Sequence, residues 1–255
     1  MSRFFFNIIL GLILMPNETL FISDLHLTIE RPEITQKFLK LLTGRAKQAK
    51  ALYILGDLFD TWIGDDDFSP PIKTVKKHLK ALTEQGTPIF YIHGNRDFLI
   101  GQRFSKESGI TLLDEYSVID LYGTPTLLTH GDLLCTDDLP YQAFRVKSHS
   151  EEWQKNVLSK PLILRILYAR WYRLRSFFHK RKKSQDIMDV NQDTIVSVMH
   201  KYKTTRLIHG HTHRPAVHDL KINNLSGQRF VLAEWKKESA SILVWTASGY
   251  TQERI

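Results

Sequence analysis

Five short polar motifs, each placed directly after an apolar run, constrain this chain more than any other feature: Asp24-Leu-His26, Gly56-Asp57, Gly94-Asn95, His130-Gly131 and His211-Thr-His213. A short apolar run bounded by turn residues reads as a strand buried on both faces. Core packing asks for no imidazole or carboxylate at the end of such a strand. A single Gly-Asp or His-x-His would say little, because a lone His or Asp there is usually capped or solvated. Five in succession, carrying seven oxygen or nitrogen donors, point to a sheet whose strand ends meet, since ligands of open α/β sheets collect beyond the carboxyl ends of the strands.

The stretches between the motifs alternate accordingly. Thr19–Ser23 reads as a buried strand, Ile34–Leu42 as a helix with Phe38, Leu41 and Leu42 on one face, and Ala51–Leu55 as the next strand. A helix is expected around Ile72–Leu82 and a strand over Pro88–Ile92. Beyond Gly109 the pattern turns strand-rich (Tyr116–Leu121 and Thr126–Thr129), and strands return at Arg206–Ile208, Arg229–Leu232 and Ser241–Thr246. This order predicts an α/β fold of two packed sheets with helices outside. Residues 139–201 carry no strand signal and read as a helical cap inserted within a domain spanning 15–255. Phe4 to Met15 is apolar but shorter than the about 20 residues that a bilayer span needs. Residues 1–14 therefore read as the product of a misassigned start, as an interfacial anchor or as a signal peptide.

The donor types suit a pair of divalent cations. Asp24 and His26, two apart at a strand end, point to one face, and Gly56 allows a tight exit before Asp57. Asn95 offers a neutral amide oxygen; His130, His211 and His213 offer imidazoles. Such a mixture fits Mn²⁺, Fe²⁺ or Zn²⁺ better than Ca²⁺. Two such ions outweigh the charge of Asp24 and Asp57, leaving a positive centre that attracts phosphate. Placed roughly 3.5–4 Å apart, they activate water for in-line attack. The chain's net charge of +8 likewise favours anionic partners. The single cysteine, Cys135, excludes an internal disulfide, favours a reducing compartment and reads as a small buried side chain. The remaining histidines read as core or surface residues, and Asp65-Asp66-Asp67 as a solvated loop.

In order, the motifs resemble those of the calcineurin-like metallophosphoesterase superfamily: D-x-H, G-D, G-N-[HR]-[DE], H and G-H-x-H. Within it the chain is similar to the bacterial UDP-2,3-diacylglucosamine pyrophosphatase family of lipid A synthesis. The segments that carry this likeness are Phe21-Ile-Ser-Asp-Leu-His-Leu27, Tyr53-Ile-Leu-Gly-Asp-Leu-Phe59, Trp62-Ile-Gly-Asp-Asp66 and His93-Gly-Asn-Arg-Asp-Phe98. His130-Gly-Asp132, Cys135-Thr-Asp-Asp138, Ile187-Met-Asp-Val-Asn191 and Ile208-His-Gly-His-Thr-His-Arg-Pro215 extend it over nearly everything after Met15.

The resemblance implies a four-layer αββα sandwich with a helical cap insertion, and two metal ions, Mn²⁺ by expectation. One ion would be held by Asp24, His26, Asp57 and His213, the other by Asp57, Asn95, His130 and His211, with Asp57 bridging. Asp57, Asn95, Arg96 and His130 would be catalytic. Asn95, Arg96, Asp138, Ser176, Lys180, Lys183 and His211 would touch the substrate; relatives carry Asn where this chain has Lys180. The implied reaction is attack of water on the α-phosphorus of UDP-2,3-diacylglucosamine, giving UMP and 2,3-diacylglucosamine 1-phosphate. It would take place at the cytoplasmic face of the inner membrane, with the protein attached peripherally.

Two local features bear on substrate choice. Many superfamily members place at position 96 a His that protonates an alkoxide leaving group; Arg96 cannot act as that acid but can grip phosphate oxygens. A sugar 1-phosphate leaves as a stable anion and needs no proton. The second feature is Leu162–Lys183, which carries eight Lys/Arg, no acid, and Trp171, Tyr172, Phe177 and Phe178. That composition suits an acidic membrane surface, nucleic acid, or a solvated basic face over core residues. An apolar groove that gains about 0.8 kcal/mol per buried acyl methylene fits the diacyl substrate best. A metal-dependent nuclease or phosphoprotein phosphatase on the same fold, or a non-catalytic interaction module, are the rival readings.

Overall fold

Strands β1 (Thr19–Ile22), β2 (Ala51–Leu55) and β3 (Ile89–Ile92) run parallel, with Phe21 beside Tyr53 and Tyr53 beside Phe90. The chain is seen in a computed structural model that describes residues 18–180, 189–222 and 225–255, with 173–180 as helical backbone only. The apolar N-terminal stretch lies outside the described residues. β4 (Thr111–Leu112) continues the parallel run, while β10 (Ser241–Thr246) and β11 (Gly249–Arg254) join antiparallel, in the order β11-β10-β1-β2-β3-β4. The second sheet combines β5 (Ser117–Leu121), β6 (Thr124–Leu128), β7 (Arg206–His209), β8 (Ala216–Ile222) and β9 (Leu225–Val231) in the order β5-β6-β7-β9-β8. Its three inner strands, β6, β7 and β9, are parallel.

Side-chain alternation decides the layers. Leu20 and Ile22 of β1 pack with Ile34 and Phe38 of α1 (Pro32–Thr43), Val75 and Leu79 of α2 (Ile72–Glu84) and Phe104 of α3 (Gln102–Ser108). Phe21, Tyr53 and Leu55 face the other way and meet Leu128, Ile208 and Phe230 of the second sheet. Three helices follow, α4 (Leu139–Ser148), α5 (Glu151–Leu158) and α6 (Leu162–Lys180), and α5 packs Trp153 and Val157 against the first core. The chain returns through α7 (Gln192–Lys201), whose Ile195 and Met199 pack on Leu127 and Leu207. The result is an α/β, four-layer αββα sandwich. Of the helices within residues 139–201, α7 packs on the second sheet and α5 touches the first core. Among the described residues no helix is long and apolar enough to cross a membrane.

The acidic run departs from the solvated loop that the sequence suggests. Asp65 accepts hydrogen bonds from Trp62 Nε1 (3.2 Å), Gly101 N (2.9 Å) and Phe104 N (3.0 Å), anchoring the start of α3. Asp66 grips Arg165 of α6 through both carboxylate oxygens, and Asp67 accepts Ser69 N at 2.9 Å. Like charges tolerate this closeness because each carboxylate faces different donors.

Candidate metal centre

The parallel register brings β1, β2 and β3 to a common edge, and β6 and β7 end opposite them. Strand-like pairing continues past the ends, with Asp24 N donating to Gly56 O (3.1 Å), His26 N to Asp57 O (2.9 Å) and Gly210 N to His130 O (2.8 Å). The loops must then turn sharply. Asp24, His26, Asp57, His211 and His213 all adopt left-handed backbone, φ between +49° and +67°. That conformation costs a non-glycine residue roughly 1 kcal/mol, and such strain gathers at functional sites. Beneath them Gly94 lies so close to Asp57 that a Cβ would stand 2.1 Å from Asp57 Oδ1. Only glycine permits that approach.

All seven donors converge. Asn95 Oδ1 is 3.0 Å from His130 Nε2 and 2.8 Å from His211 Nδ1, which is itself 3.3 Å from His130 Nε2. On the other side His213 Nε2 is 3.1 Å from Asp24 Oδ1 and 3.4 Å from His26 Nε2. Between the two groups, Asp57 Oδ2 stands 3.8 Å from both His26 Nδ1 and His130 Nε2. Donors that share one cation at about 2.1 Å in octahedral directions lie about 3 Å apart. The separations among Asn95, His130 and His211 and between Asp24 and His213 are near that edge length, whereas Asp57 stands farther from His26 and His130, at 3.8 Å. Asp24, His26 and His213 form one cluster suited to an ion, and Asp24, Asp57 and His130 another. His26 Nδ1 is buried without a hydrogen-bond partner among the described residues, as expected of a donor set that a cation completes.

Electrostatics agree with this reading. Burial holds the His26 and His211 imidazoles down to about 3, leaving them neutral with free lone pairs. Burial, reinforced by the Asp97 and Asp24 carboxylates, pushes Asp57 up to about 7 despite the opposing pull of His130. Burial opposes protonation of His213 too, yet bonds to Asp24 and Glu234 raise it to about 9. His130 is raised in the same way by Asp57 and Asp24 against its burial. Two deeply buried carboxylates thus depend on neighbouring protons for charge balance, and divalent cations would replace those protons.

Supporting bonds orient the ligand atoms. His130 Nδ1 donates to Leu55 O (2.8 Å), which turns Nε2 toward the centre. His213 Nδ1 lies 3.3 Å from Glu234 Oε2. Asp24 Oδ2 accepts from Ser23 Oγ (2.5 Å) and His211 N (3.0 Å), and Asp57 Oδ1 from Arg96 N (2.8 Å). Asp97 is fully buried and accepts from Asp57 N (3.2 Å), Gly94 N (3.0 Å) and Phe59 N (3.1 Å). Asp132, also buried, accepts from Tyr141 Oη and Arg145 Nε, each at 2.6 Å, and so ties α4 to the centre.

Asp97, Asp132 and Glu234 were not singled out from sequence. The first two stand two residues from Asn95 and His130 within the quoted motifs. Glu234 follows the predicted strand Arg229–Leu232 and therefore shares the strand-end position that marks the other motifs.

Of the predicted substrate contacts, Asn95, Arg96 and His211 lie at the centre. Arg96 is partly exposed, with Nη1 3.3 Å from Asp60 Oδ1. Asp138 sits at the start of α4 and accepts Tyr141 N at 3.2 Å. The side chains of Ser176 and Lys180, and the whole of Lys183, lie outside the described residues. Cys135 is buried, and burial pushes its thiol up to about 12, so it is inert packing.

Residues 18–215 match the family description of calcineurin-like phosphoesterases. The chain is 51% identical over 226 residues to the UDP-2,3-diacylglucosamine hydrolase of Escherichia fergusonii, covering 89% of this chain and 94% of that protein. The enzyme of the same name from Escherichia coli K12 gives the same identity and coverage. Among solved structures, a Thermus thermophilus protein matches with a TM-score of 0.45 at 12% identity, covering 94% of this chain and 99% of that one. An archaeal phosphodiesterase matches with a TM-score of 0.44 at 11% identity, covering 93% and 99%.

Proposed function

The chain belongs to the calcineurin-like phosphoesterase family, and we propose on that footing that it hydrolyses the pyrophosphate bond of UDP-2,3-diacylglucosamine. The products are UMP and 2,3-diacylglucosamine 1-phosphate. The observation that carries this reading is Asp57 Oδ2, equidistant from the His26 and His130 imidazoles, with Arg96 beside it. Asp24, His26, Asp57 and His213 would hold one divalent ion, Mn²⁺ by preference, and Asp57, Asn95, His130 and His211 a second. When bound, the two ions supply Lewis acidity and lower the pKa of water.

The chain's own residues do the rest. Asn95 and His211 orient the α-phosphate, and Arg96 offsets charge that develops on its oxygens. Water adds to the α-phosphorus, its proton passes to solvent, and the bond to the bridging oxygen breaks. The sugar 1-phosphate then departs as an anion, so the lack of a general acid at Arg96 carries no penalty. Asp138, with Ser176, Lys180 and Lys183 of the cap region, would contact the glucosamine 1-phosphate half. Ile163, Leu164, Leu167, Tyr168 and Trp171 are exposed on α6, an apolar face in a basic segment that suits acyl chains and the cytoplasmic leaflet of the inner membrane.

Product identification tests the reaction. Incubation with UDP-2,3-diacylglucosamine and Mn²⁺ is expected to release UMP, with an alkyl phosphomonoester turned over far more slowly. Preference for the monoester, or digestion of labelled single-stranded DNA in place of the UDP-lipid, would contradict it. Sedimentation with vesicles containing acidic lipid tests the membrane reading, and failure to bind at low salt would remove it.

A further inference from the structure

Helix α6 is held by an unusual contact. Among its described residues Arg165 alone is buried, at 5% exposure, while Ile163, Leu164, Leu167, Tyr168 and Trp171 are about half exposed. Its inward apolar stripe, Leu162, Ile166, Ala169 and Tyr172, is only half-buried, with Tyr172 stacked on Phe144 of α4, so no apolar side chain among these residues is fully enclosed. The one enclosed group is the Arg165 guanidinium, which donates to Ile63 O (2.5 Å), to Lys160 O (2.9 Å) and to both oxygens of Asp66, one at 2.8 Å. Room for it is made by Gly64, where a Cβ would stand 2.2 Å from Arg165 Nη1. A forked guanidinium–carboxylate pair fixes distance and direction together.

The segment that receives Arg165 also serves the centre. Asp60 Oδ1 lies 3.3 Å from Arg96 Nη1, Trp62 N donates to Arg96 O at 3.1 Å, and Asp65 fastens the same turn to α3. Residues 60–66 thus form a short rigid bridge with Arg96 at one end and α6 at the other. We propose that Arg165 and Asp66 are positioning residues: a polar latch that sets the pose of α6 relative to Arg96 and thereby selects substrates that carry acyl chains. This rests on the lipid reading above for its substrate, but not for the latch itself. The Arg165 guanidinium is thereby committed to the protein's own oxygens and not to phosphate.

The test uses the full chain with Mn²⁺ and the variants Arg165→Met, Arg165→Lys and Asp66→Asn, the last chosen because Asp66 is partly exposed and its loss leaves Arg165 its carbonyl bonds. A small misplacement of a positioning element costs on the order of 100-fold. The kcat/KM for UDP-2,3-diacylglucosamine is expected to fall by about that factor in Arg165→Met, chiefly through KM. Hydrolysis of bis(p-nitrophenyl) phosphate, which has no acyl chain, and Mn²⁺ stoichiometry are expected to stay at the wild-type level. Arg165→Lys should recover little, since an ammonium cannot form the fork, whereas the exchanged pair Asp66→Arg/Arg165→Asp should recover part. Parallel loss on both substrates, or loss on neither, overturns the proposal. Backbone hydrogen exchange reads the latch without any substrate: amides of α6 are expected to exchange faster in Arg165→Met and Asp66→Asn while those of β1 to β3 do not change. Unchanged exchange in α6 overturns the latch, whereas a wild-type chain that ignores the UDP-lipid overturns only the substrate reading.

Discussion

Replacing Asp97 by Asn removes one charge and changes one atom, yet it should loosen the platform under two candidate ligands. Asp97 accepts from the backbone of Asp57 and Gly94 on one oxygen and from Phe59 on the other. With its amide oxygen toward Asp57 and Gly94, Asn keeps two bonds but turns them from charge-assisted to neutral, and its NH₂ then faces the N–H of Phe59. The lost bond, the stranded donor and the two weakened bonds together amount to about 3–5 kcal/mol. For a chain of this size each kcal/mol moves the melting temperature by roughly 2–4 °C, so a fall of about 10 °C is expected. Differential scanning calorimetry on metal-free protein measures it. Because Asp57 and Asn95 ride on the affected loops, the same variant should bind Mn²⁺ at least about tenfold more weakly. A melting temperature within about 2 °C of wild type, together with unchanged Mn²⁺ affinity, would refute the assigned role.

Arg96→Lys keeps a charge but loses the fork, so kcat/KM for the UDP-lipid should drop about 100-fold with Mn²⁺ binding intact, as steady-state kinetics and calorimetry would show. Glu234→Ala removes the partner of His213 Nδ1 and should weaken one of two Mn²⁺ binding steps about tenfold while sparing the other. Titration curves with both steps unchanged would speak against it. Mn²⁺ binding must displace the proton from His213, raised to about 9, and below neutrality also from Asp57, raised to about 7. The apparent Kd should therefore rise about tenfold per pH unit as pH falls from 9 to 7, and more steeply below. A flat profile contradicts that charge balance.

The strand ends were legible in the sequence because burial on both faces leaves apolar runs without polar interruption, so that Asp24, Asp57, Asn95, His130 and His211 stand out at their ends. β8 and β11 were not, because edge strands with solvent on one side read as polar segments such as Ala-Val-His-Asp-Leu-Lys-Ile and Gly-Tyr-Thr-Gln-Glu-Arg. Helical periodicity does not say what a helix packs against, so the sequence alone does not separate α7 from the helices before it; the contact of Ile195 and Met199 with Leu127 and Leu207 does. The acidic run at Asp65–Asp67 misled for a related reason. A sequence shows repulsion between neighbours in the chain but not Gly101, Phe104 and Arg165, which come to those carboxylates from elsewhere.

Hydrolysis of UDP-2,3-diacylglucosamine in ¹⁸O-water, with Mn²⁺ and then with chelator, tests the account most directly. One label in UMP, none in the lipid 1-phosphate, and no turnover once metal is removed are the predicted results. Label in the lipid product, or full activity in chelator, would contradict attack on the α-phosphorus at a metal centre built from these seven side chains.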